Sequence, residues 1–371
     1  MTKKTIVISA INLRSGGTLT ILQECIKYLS KNLTKHYKVV ALVHKKDMFP
    51  QFKDIEFIEF PDSVKSYFFR IYYEYFYFKK ISKKLNPYLW ISLHDMTPNV
   101  ISKIKAVYCH NPTPFCKISL KALKEPKFIL FNLFYKYIYK VNIHTNDFVI
   151  VQQEWLREKF SQMFEIPKGK IIVAYPETEI LIHNNTLELN NNKEKTIFFY
   201  PVFPRFFKNF EVICEAVKLL NQKDKKFEVI FTIDGKENRY SKWLFKKYGN
   251  IKNIKFIGLQ SREKIYEIYN EVDCLIFPSK LETWGLPLSE FKTINKPIIV
   301  SDLPYVHETI GKYDKVVFFP PDDFISLSKL MNDIIENKIK FHETFQKTPT
   351  PPFAKNWAEL FGILLKGDIN E

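Results

Sequence analysis

Short apolar runs alternate along this chain with longer stretches in which apolar residues return every three or four positions, the pattern of buried strands separated by amphipathic helices. The first run is Lys4 to Ile11. It is followed by the loop Asn12-Leu13-Arg14-Ser15-Gly16-Gly17-Thr18 and then by the amphipathic stretch Leu19 to Leu29, so the chain opens as strand, glycine loop, helix. Further strands are predicted at Lys38 to Val43, Glu56 to Phe60, Tyr88 to Leu93, Ala106 to Cys109, Phe148 to Gln152 and Lys170 to Ala174, with helical patterns between several of them. Such alternation predicts a mainly parallel, doubly wound sheet.

After Ile182 the periodicity lapses, and the turn-rich stretch His183 to Lys193 reads as an interdomain linker. The pattern then restarts, with strands predicted at Thr196 to Tyr200, Phe227 to Ile233, Ile254 to Ile257, Cys274 to Phe277, Pro297 to Val300 and Val316 to Phe319. A second Rossmann-like unit is expected there. The fold class is therefore α/β, with an amino-terminal domain over 1–185 and a carboxy-terminal one over 194–350.

A length of 371 residues has room for two such cores, and a hydrophobic content of 46% fits a globular chain. No apolar run reaches the roughly 18 uncharged residues of a membrane span, and the first ten residues read as a strand rather than a signal peptide, so a cytoplasmic protein is expected. The five cysteines are odd in number, lack Cys-x-x-Cys spacing and mostly lie in apolar elements, as reduced core thiols do.

The formal charge of +16 is uneven: residues 1–190 carry 28 basic and 16 acidic side chains, and Ser63 to Lys140 alone carries 14 basic and 3 acidic ones. An excess of this kind faces an anion, either nucleic acid or the phosphates of a membrane and its lipids. Tyr67 to Phe78 holds nine aromatics in twelve residues and runs into Lys79, Lys80, Lys83 and Lys84; Lys117 to Lys140 again mixes lysines with aromatics. Aromatic faces bordered by lysine describe helices lying in the interface of an anionic membrane, and also core-packed helices with a solvated edge. A nucleic-acid-binding protein is suggested by charge alone, without a helix-turn-helix, zinc or ribonucleoprotein motif, and no nucleic-acid partner is expected.

Candidate chemistry gathers at two strand ends in the second half. Pro278-Ser279-Lys280-Leu281-Glu282-Thr283-Trp284-Gly285-Leu286-Pro287-Leu288-Ser289-Glu290 places two carboxylates eight positions apart around a Gly-Leu-Pro turn that opens a helix. Backbone N–H groups there suit a diphosphate, Glu282 suits sugar hydroxyls and Glu290 suits a ribose diol; two acids about a helix start also fit a simple N-terminal charge preference. The strand Ile197 to Tyr200 runs into Pro201-Val202-Phe203-Pro204-Arg205-Phe206-Phe207-Lys208-Asn209, bringing two cations to a strand's carboxyl end, where open α/β sheets bind ligands. Arg205 and Lys208 can stabilise charge developing on a diphosphate leaving group; alone, the loop also reads as a solvated basic turn. His110 ends a strand just before Asn111-Pro112, so its ring is expected to project from the strand end, and His94 with Asp95 forms a second candidate pair. The chain has neither an Asp-x-Asp nor a His/Cys cluster at ligand spacing, so no metal is expected.

The Pro278 to Glu290 stretch resembles the Pro-Ser…Glu-x7-Glu signature of the retaining glycosyltransferases of family 4, and the resemblance runs from residue 5 to about residue 365. Phe203-Pro204-Arg205-Phe206-Phe207-Lys208-Asn209, Val107 to Phe115 and Val151 to Leu156 are similar to a subset of lipopolysaccharide O-antigen hexosyltransferases, although the Arg and Lys stand closer together than is usual in the family. That resemblance implies a GT-B fold of two Rossmann-like domains facing a cleft, with residues 351–371 crossing back as a closing helix, Phe353 to Leu365, onto the amino-terminal domain. It implies catalytic roles for His110, Glu282, Arg205 and Lys208. Donor contacts would come from Gly16, Gly17, Leu259, Trp284, Gly285, Leu286, Pro287, Leu288 and Glu290. The reaction implied is metal-independent, retaining transfer of a hexose, first of all glucose from UDP-glucose, to a polyprenyl-diphosphate-linked saccharide at the inner face of a bacterial cytoplasmic membrane. No cofactor is expected beyond the nucleotide-sugar donor, probed first as UDP-hexose with GDP-mannose behind it. A GT-B nucleotide-sugar epimerase is the alternative within the same fold.

Overall fold

The computed structural model of the chain describes residues 3–116, 125–177, 194–223 and 225–366. In chain order the first part holds β1 (Lys4–Ala10), α1 (Gly16–Asn32), β2 (Tyr37–Val43), β3 (Glu56–Glu59), α2 (Tyr67–Tyr72), a π-helical turn (Tyr73–Tyr77), α3 (Phe78–Leu85), β4 (Leu89–Ser92), β5 (Ile104–Tyr108), α4 (Pro126–Lys140), β6 (Phe148–Val151), α5 (Glu154–Phe164) and β7 (Ile171–Ala174). The second part holds β8 (Thr196–Tyr200), α6 (Phe210–Leu220), β9 (Phe227–Phe231), α7 (Arg239–Tyr248), β10 (Ile254–Phe256), α8 (Arg262–Glu271), β11 (Cys274–Phe277), α9 (Leu286–Lys292), β12 (Ile298–Ser301), α10 (Pro304–Ile310), β13 (Val316–Phe319) and α11 (Phe324–Ile335). The chain closes with β14 (Phe353–Ala354) and α12 (Trp357–Leu364).

Two compact units result: one of Met1–Phe115, Phe131–Glu177 and Pro349–Glu371, the other of Cys116–Leu130 and Thr178–Thr348. The first is an eight-stranded sheet of order β14-β7-β6-β5-β4-β1-β2-β3, the second a six-stranded sheet of order β10-β9-β8-β11-β12-β13. Neighbouring strands run parallel in both. Alternation of side chains sorts the first sheet into layers: Ile6, Ile8 and Ala10 pack with Ile21, Leu22, Cys25 and Ile26 of α1, while Val7 joins Val40, Leu42, Phe78 and Trp90 on the opposite face. Sheets covered on both faces need near-continuous apolar strands, which is why the strands stood out in the sequence.

Two boundaries differ from expectation. Phe353 to Leu365 is not one helix: β14 extends the first sheet beside β7, and α12 starts only at Trp357, where the Asn356 side chain caps the Glu359 N–H. Pro351 and Pro352 supply no N–H for a helix, whereas the Pro352 carbonyl accepts the Val173 N–H at 3.1 Å and so fits a sheet edge. α12 then buries Trp357, Leu360, Phe361 and Leu364 in the core that holds α1. Cys116 and residues 125–130, expected within the first domain, belong instead to the second unit. Phe128 lies edge-on to Phe206 and packs against Phe207, and the Glu125 carboxylate accepts the Phe206 N–H at 3.0 Å. The linker expected over His183 to Lys193 lies outside the described residues.

Arg157 on α5 anchors the returning segment to the first unit. Fully buried, it donates to the Thr350 carbonyl at 2.8 Å, the Thr350 hydroxyl at 2.7 Å and the Pro352 carbonyl at 3.1 Å, and pairs with Glu154. Arg157→Ala leaves those acceptors unpaired in the interior and is expected to cost on the order of 2–4 kcal/mol. Urea unfolding checks this: the midpoint should fall clearly below that of the parent, and an unchanged midpoint would show that the anchor contributes nothing.

Candidate active site

Strand order reverses between β8 and β11 in the second sheet, because the chain builds β9 and β10 on one side of β8 and then β11 to β13 on the other. Loops leaving the carboxyl ends of β8 and β11 therefore meet at the sheet's rim, the position where open α/β sheets bind ligands. After β8, Pro201 and Pro204 end the ladder, a short 3-10 turn covers Phe206–Lys208, and Asn209 adopts a left-handed conformation (φ 58°) before α6. The Asn209 amide donates to the Pro321 carbonyl at 2.6 Å, and the Tyr200 hydroxyl to the Lys208 carbonyl at 2.7 Å. After β11 the chain turns at Gly285, whose φ of 88° suits glycine, and enters α9. The Lys280 N–H bonds the Phe207 carbonyl at 2.8 Å, stitching the two loops together.

Lys208 and Glu282, one from each loop, form an ion pair with both side chains about 15% exposed, at 15% and 14%. The two residues chosen independently from sequence are thus brought together. Arg205 extends outward, 43% exposed, with its Nη1 donating to Glu125 Oε1 at 2.9 Å. Glu125 is nearly covered at 5%, so it fixes the guanidinium and the neighbouring Phe206 N–H with one carboxylate. Glu290 is also buried: the Tyr269 hydroxyl donates to its Oε2 at 3.2 Å and Arg262 lies 3.9 Å from its Oε1. Burial raises the Glu290 carboxyl above its ordinary value, with Arg262 and the two tyrosines Tyr266 and Tyr269 opposing the rise.

The remaining donor-loop candidates divide. Leu286 and Pro287 are half-buried at the start of α9, but Pro287 has no N–H and the Leu288 N–H already bonds the Gly285 carbonyl at 2.9 Å. Trp284 and Leu288 are core residues rather than an open platform: Trp284 donates through Nε1 to the Ser289 hydroxyl at 2.6 Å, and Leu288 is fully buried. Leu259 is exposed, next to Gly258 at φ 73°.

The first sheet repeats the device, reversing between β1 and β4. Ser9 of β1 meets His94 just past β4, with Oγ to Nε2 at 3.1 Å, and Arg70 of α2 contacts Nδ1 at 3.1 Å and donates to the His94 carbonyl at 2.6 Å. A guanidinium only donates, so Nδ1 accepts and the proton sits on Nε2. Glu74, on the π-helical turn, lies 3.1 Å from that nitrogen and is fully buried. Burial pushes its carboxyl up to about 8, partly offset by Arg70, and holds His94 far below the ordinary histidine range. His94 is enclosed rather than available to a ligand.

His110 is likewise covered instead of projecting freely. It is 9% exposed, stacks on Tyr108 at 4.5 Å and donates through Nε2 to the Leu93 carbonyl at 2.9 Å, leaving Nδ1 as the acceptor atom. Burial lowers its pKa against the opposing pull of Asp95 and Leu93. Asp95, held at φ 72°, accepts from the His110 N–H at 2.6 Å and from the hydroxyls of Tyr135 at 2.7 Å and Tyr139 at 3.0 Å. Gly16 and Gly17 are exposed at the start of α1, Gly16 at φ 67°. Among the described residues no three His, Cys, Asp or Glu side chains are grouped to hold a metal ion.

Two parallel sheets, each reversing its strand order beside β1 or β8, match a known architecture over nearly the whole chain. A lipopolysaccharide outer core galactosyltransferase, WaaB in its apo form, superposes with a TM-score of 0.62 at 14% identity, covering 91% of this chain and 92% of that one. Anabaena HepE in complex with UDP-glucose gives 0.63 at 15% identity over 90% of both chains. A glycosyltransferase from Rickettsia africae gives 0.65 at 18% identity over 92% and 90%. The fold is GT-B. Residues 184–348, nearly the whole second GT-B unit, match the family model for glycosyl transferases group 1. Among curated proteins, the O-antigen chain mannosyltransferase RfbU of Salmonella typhimurium is 21% identical over 220 residues, which is 56% of this chain and 57% of that protein. The chain thus matches little more than half the length of that relative.

Sequence reasoning missed Glu125, Arg70 and Glu74 in this GT-B chain. One signal was present: Glu74, Asp95 and Glu125 are the only acids between Ser63 and Lys140, and each is spent on an internal partner or buried. The Glu74 carboxyl titrates higher folded than unfolded, so its contribution to stability is complete below its ordinary pKa of 4.5 and is lost as pH rises toward about 8. Between about pH 5 and 8 this steepens the loss of stability by up to about 1.4 kcal/mol per pH unit. In urea titrations across that range Glu74→Gln should flatten the slope, and a Gln variant with the parent's slope would place the titration elsewhere.

Proposed function

We propose that this chain is a glycosyltransferase that moves a hexose from a nucleoside-diphosphate sugar to a lipid-linked saccharide in the assembly of O-antigen or a related surface polysaccharide. The observation that carries the proposal is the Lys208–Glu282 pair at the β8/β11 switch point of the group 1 domain. In transfer, the bond from sugar C1 to the diphosphate oxygen breaks while the acceptor oxygen bonds C1, and the acceptor proton leaves with the phosphate. Charge accumulates on the departing oxygen, so cations fixed beside it stabilise the transition state more than the ground state. Lys208 and Arg205 take that role. A diphosphate outcompetes a single carboxylate for the Lys208 ammonium, releasing Glu282 to accept hydrogen bonds from sugar hydroxyls.

Glu290, whose Oε2 accepts from Tyr269 and whose Oε1 faces Arg262, is assigned to the ribose diol. In the first unit, burial keeps the His110 ring neutral, with its Nε2 held by the Leu93 carbonyl. Retention by front-face attack follows the family 4 resemblance. HepE's complex with UDP-glucose supports a UDP-hexose donor, and the mannosyltransferase RfbU keeps a mannose donor in the panel. The reading assigns neutralisation of the diphosphate to side-chain cations and not to a divalent ion.

Transfer of radiolabelled hexose from a panel of nucleotide sugars to lipid-linked acceptor tests this. Lys208→Ala and Glu282→Ala should each lower turnover by about 10²–10³ while leaving the melting transition in place, and EDTA should leave the parent's rate unchanged. Parental rates in either variant would remove the assignment, and conversion of a nucleotide sugar without acceptor would favour an epimerase.

A further inference from the structure

The helical run Tyr67 to Leu85 has two faces that the sequence alone does not separate. Arg70, Glu74, Phe78 and Ser82 recur every four residues and are all buried. On a regular α-helix a four-residue repeat drifts by about 40° per step. The π-helical turn at Tyr73–Tyr77 underwinds the run and keeps that stripe inward. It equally keeps Phe68, Tyr72 and Phe76 on one outward face, at 79%, 47% and 67% exposure.

The part of α4 from Phe131 onward, in the same unit, continues this surface, with Leu133, Phe134 and Tyr137 each at least half exposed and the Tyr67 ring 6.4 Å from that of Phe131. Lys79, Lys80, Lys83, Lys84, Lys136 and Lys140 are exposed around it. Glu74 and Asp95, the acids of this stretch within the first unit, are turned to interior partners. Among the described residues no helix is long and apolar enough to cross a membrane. Contiguous apolar faces of this size are uncommon on proteins without a partner surface. Tyrosine and phenylalanine rimmed by lysine fit the boundary between headgroups and acyl chains, where rings bury their edges and ammonium groups meet lipid phosphates.

We infer that this two-helix face docks on the interface of an anionic bilayer, with Phe68 and Phe76 as the inserted anchors and the lysines as the electrostatic rim. Docking is a property of the first unit alone and does not depend on the transfer reaction. Its test uses the full chain without sugar, in flotation with phosphatidylcholine vesicles and with vesicles containing about 30% phosphatidylglycerol. Binding should require the anionic lipid and weaken as salt is raised. Phe68→Ser with Phe76→Ser should reduce it at least about tenfold, as should reversing Lys79, Lys80, Lys83 and Lys84 to Glu, while Phe245→Ser, an exposed aromatic of the second unit, should not. No flotation with anionic vesicles, or parental flotation of the double serine variant, would overturn the inference. So would a dimer in size-exclusion chromatography that the double serine variant dissolves, since the face would then be occupied by a second copy. Because no donor is present, an inactive but membrane-binding protein would count against the transfer reading alone.

Discussion

Reversal of strand order in a parallel sheet is the constraint on which this structure depends. Where the chain switches sides, loops leaving neighbouring strands meet at the carboxyl rim and bring together polar side chains from distant parts of the sequence. In the second unit this pairs Lys208 with Glu282, and in the first it gathers Ser9, His94, Arg70 and Glu74. The two sites differ in one respect that matters for chemistry. The first cluster is closed, with a neutral histidine and a carboxyl raised by burial, whereas the second keeps charged side chains partly in contact with water.

Each cation of the second site already has an acid: Glu282 for Lys208, Glu125 for Arg205. Cations near a covered carboxylate are cheaper to hold ready than isolated ones, because an unpaired charge in a low-dielectric site costs several kcal/mol. The pairs differ in how they are built. Glu282 sits on a loop and shares its exposure with Lys208, so it can yield. Glu125 is nearly covered and also holds the Phe206 N–H, so it positions Arg205 rather than exchanging. Under the proposed reaction, one acid moves aside for phosphate and the other does not.

Strands were legible from the sequence because sheets covered on both faces leave little choice of residue; the predicted runs fall within a residue or two of β1 to β13. The end of the chain was misread because apolar periodicity from Phe353 to Leu365 outweighed local signals that oppose a helix, namely Pro351, Pro352 and a capping Asn356. In the second unit, the strand-end rule singled out Lys208 and Glu282, which the structure pairs, and Arg205, which it sets against Glu125. It could not tell that Trp284 turns inward to Ser289 or that Tyr108, two residues before His110 on its strand, covers the ring. Glu125 was out of reach for a different reason: its partner lies 80 residues away, and only the scarcity of acids in a lysine-rich stretch hinted at a special task.

A crystal structure of the protein with UDP bound tests the central claim most directly. The account predicts diphosphate oxygens within hydrogen-bonding distance of the Lys208 ammonium and the Arg205 guanidinium, with Glu282 displaced from Lys208 and Glu125 still on Arg205. A nucleotide bound away from the β8 and β11 loops, or a Lys208–Glu282 pair left intact beside it, would contradict it.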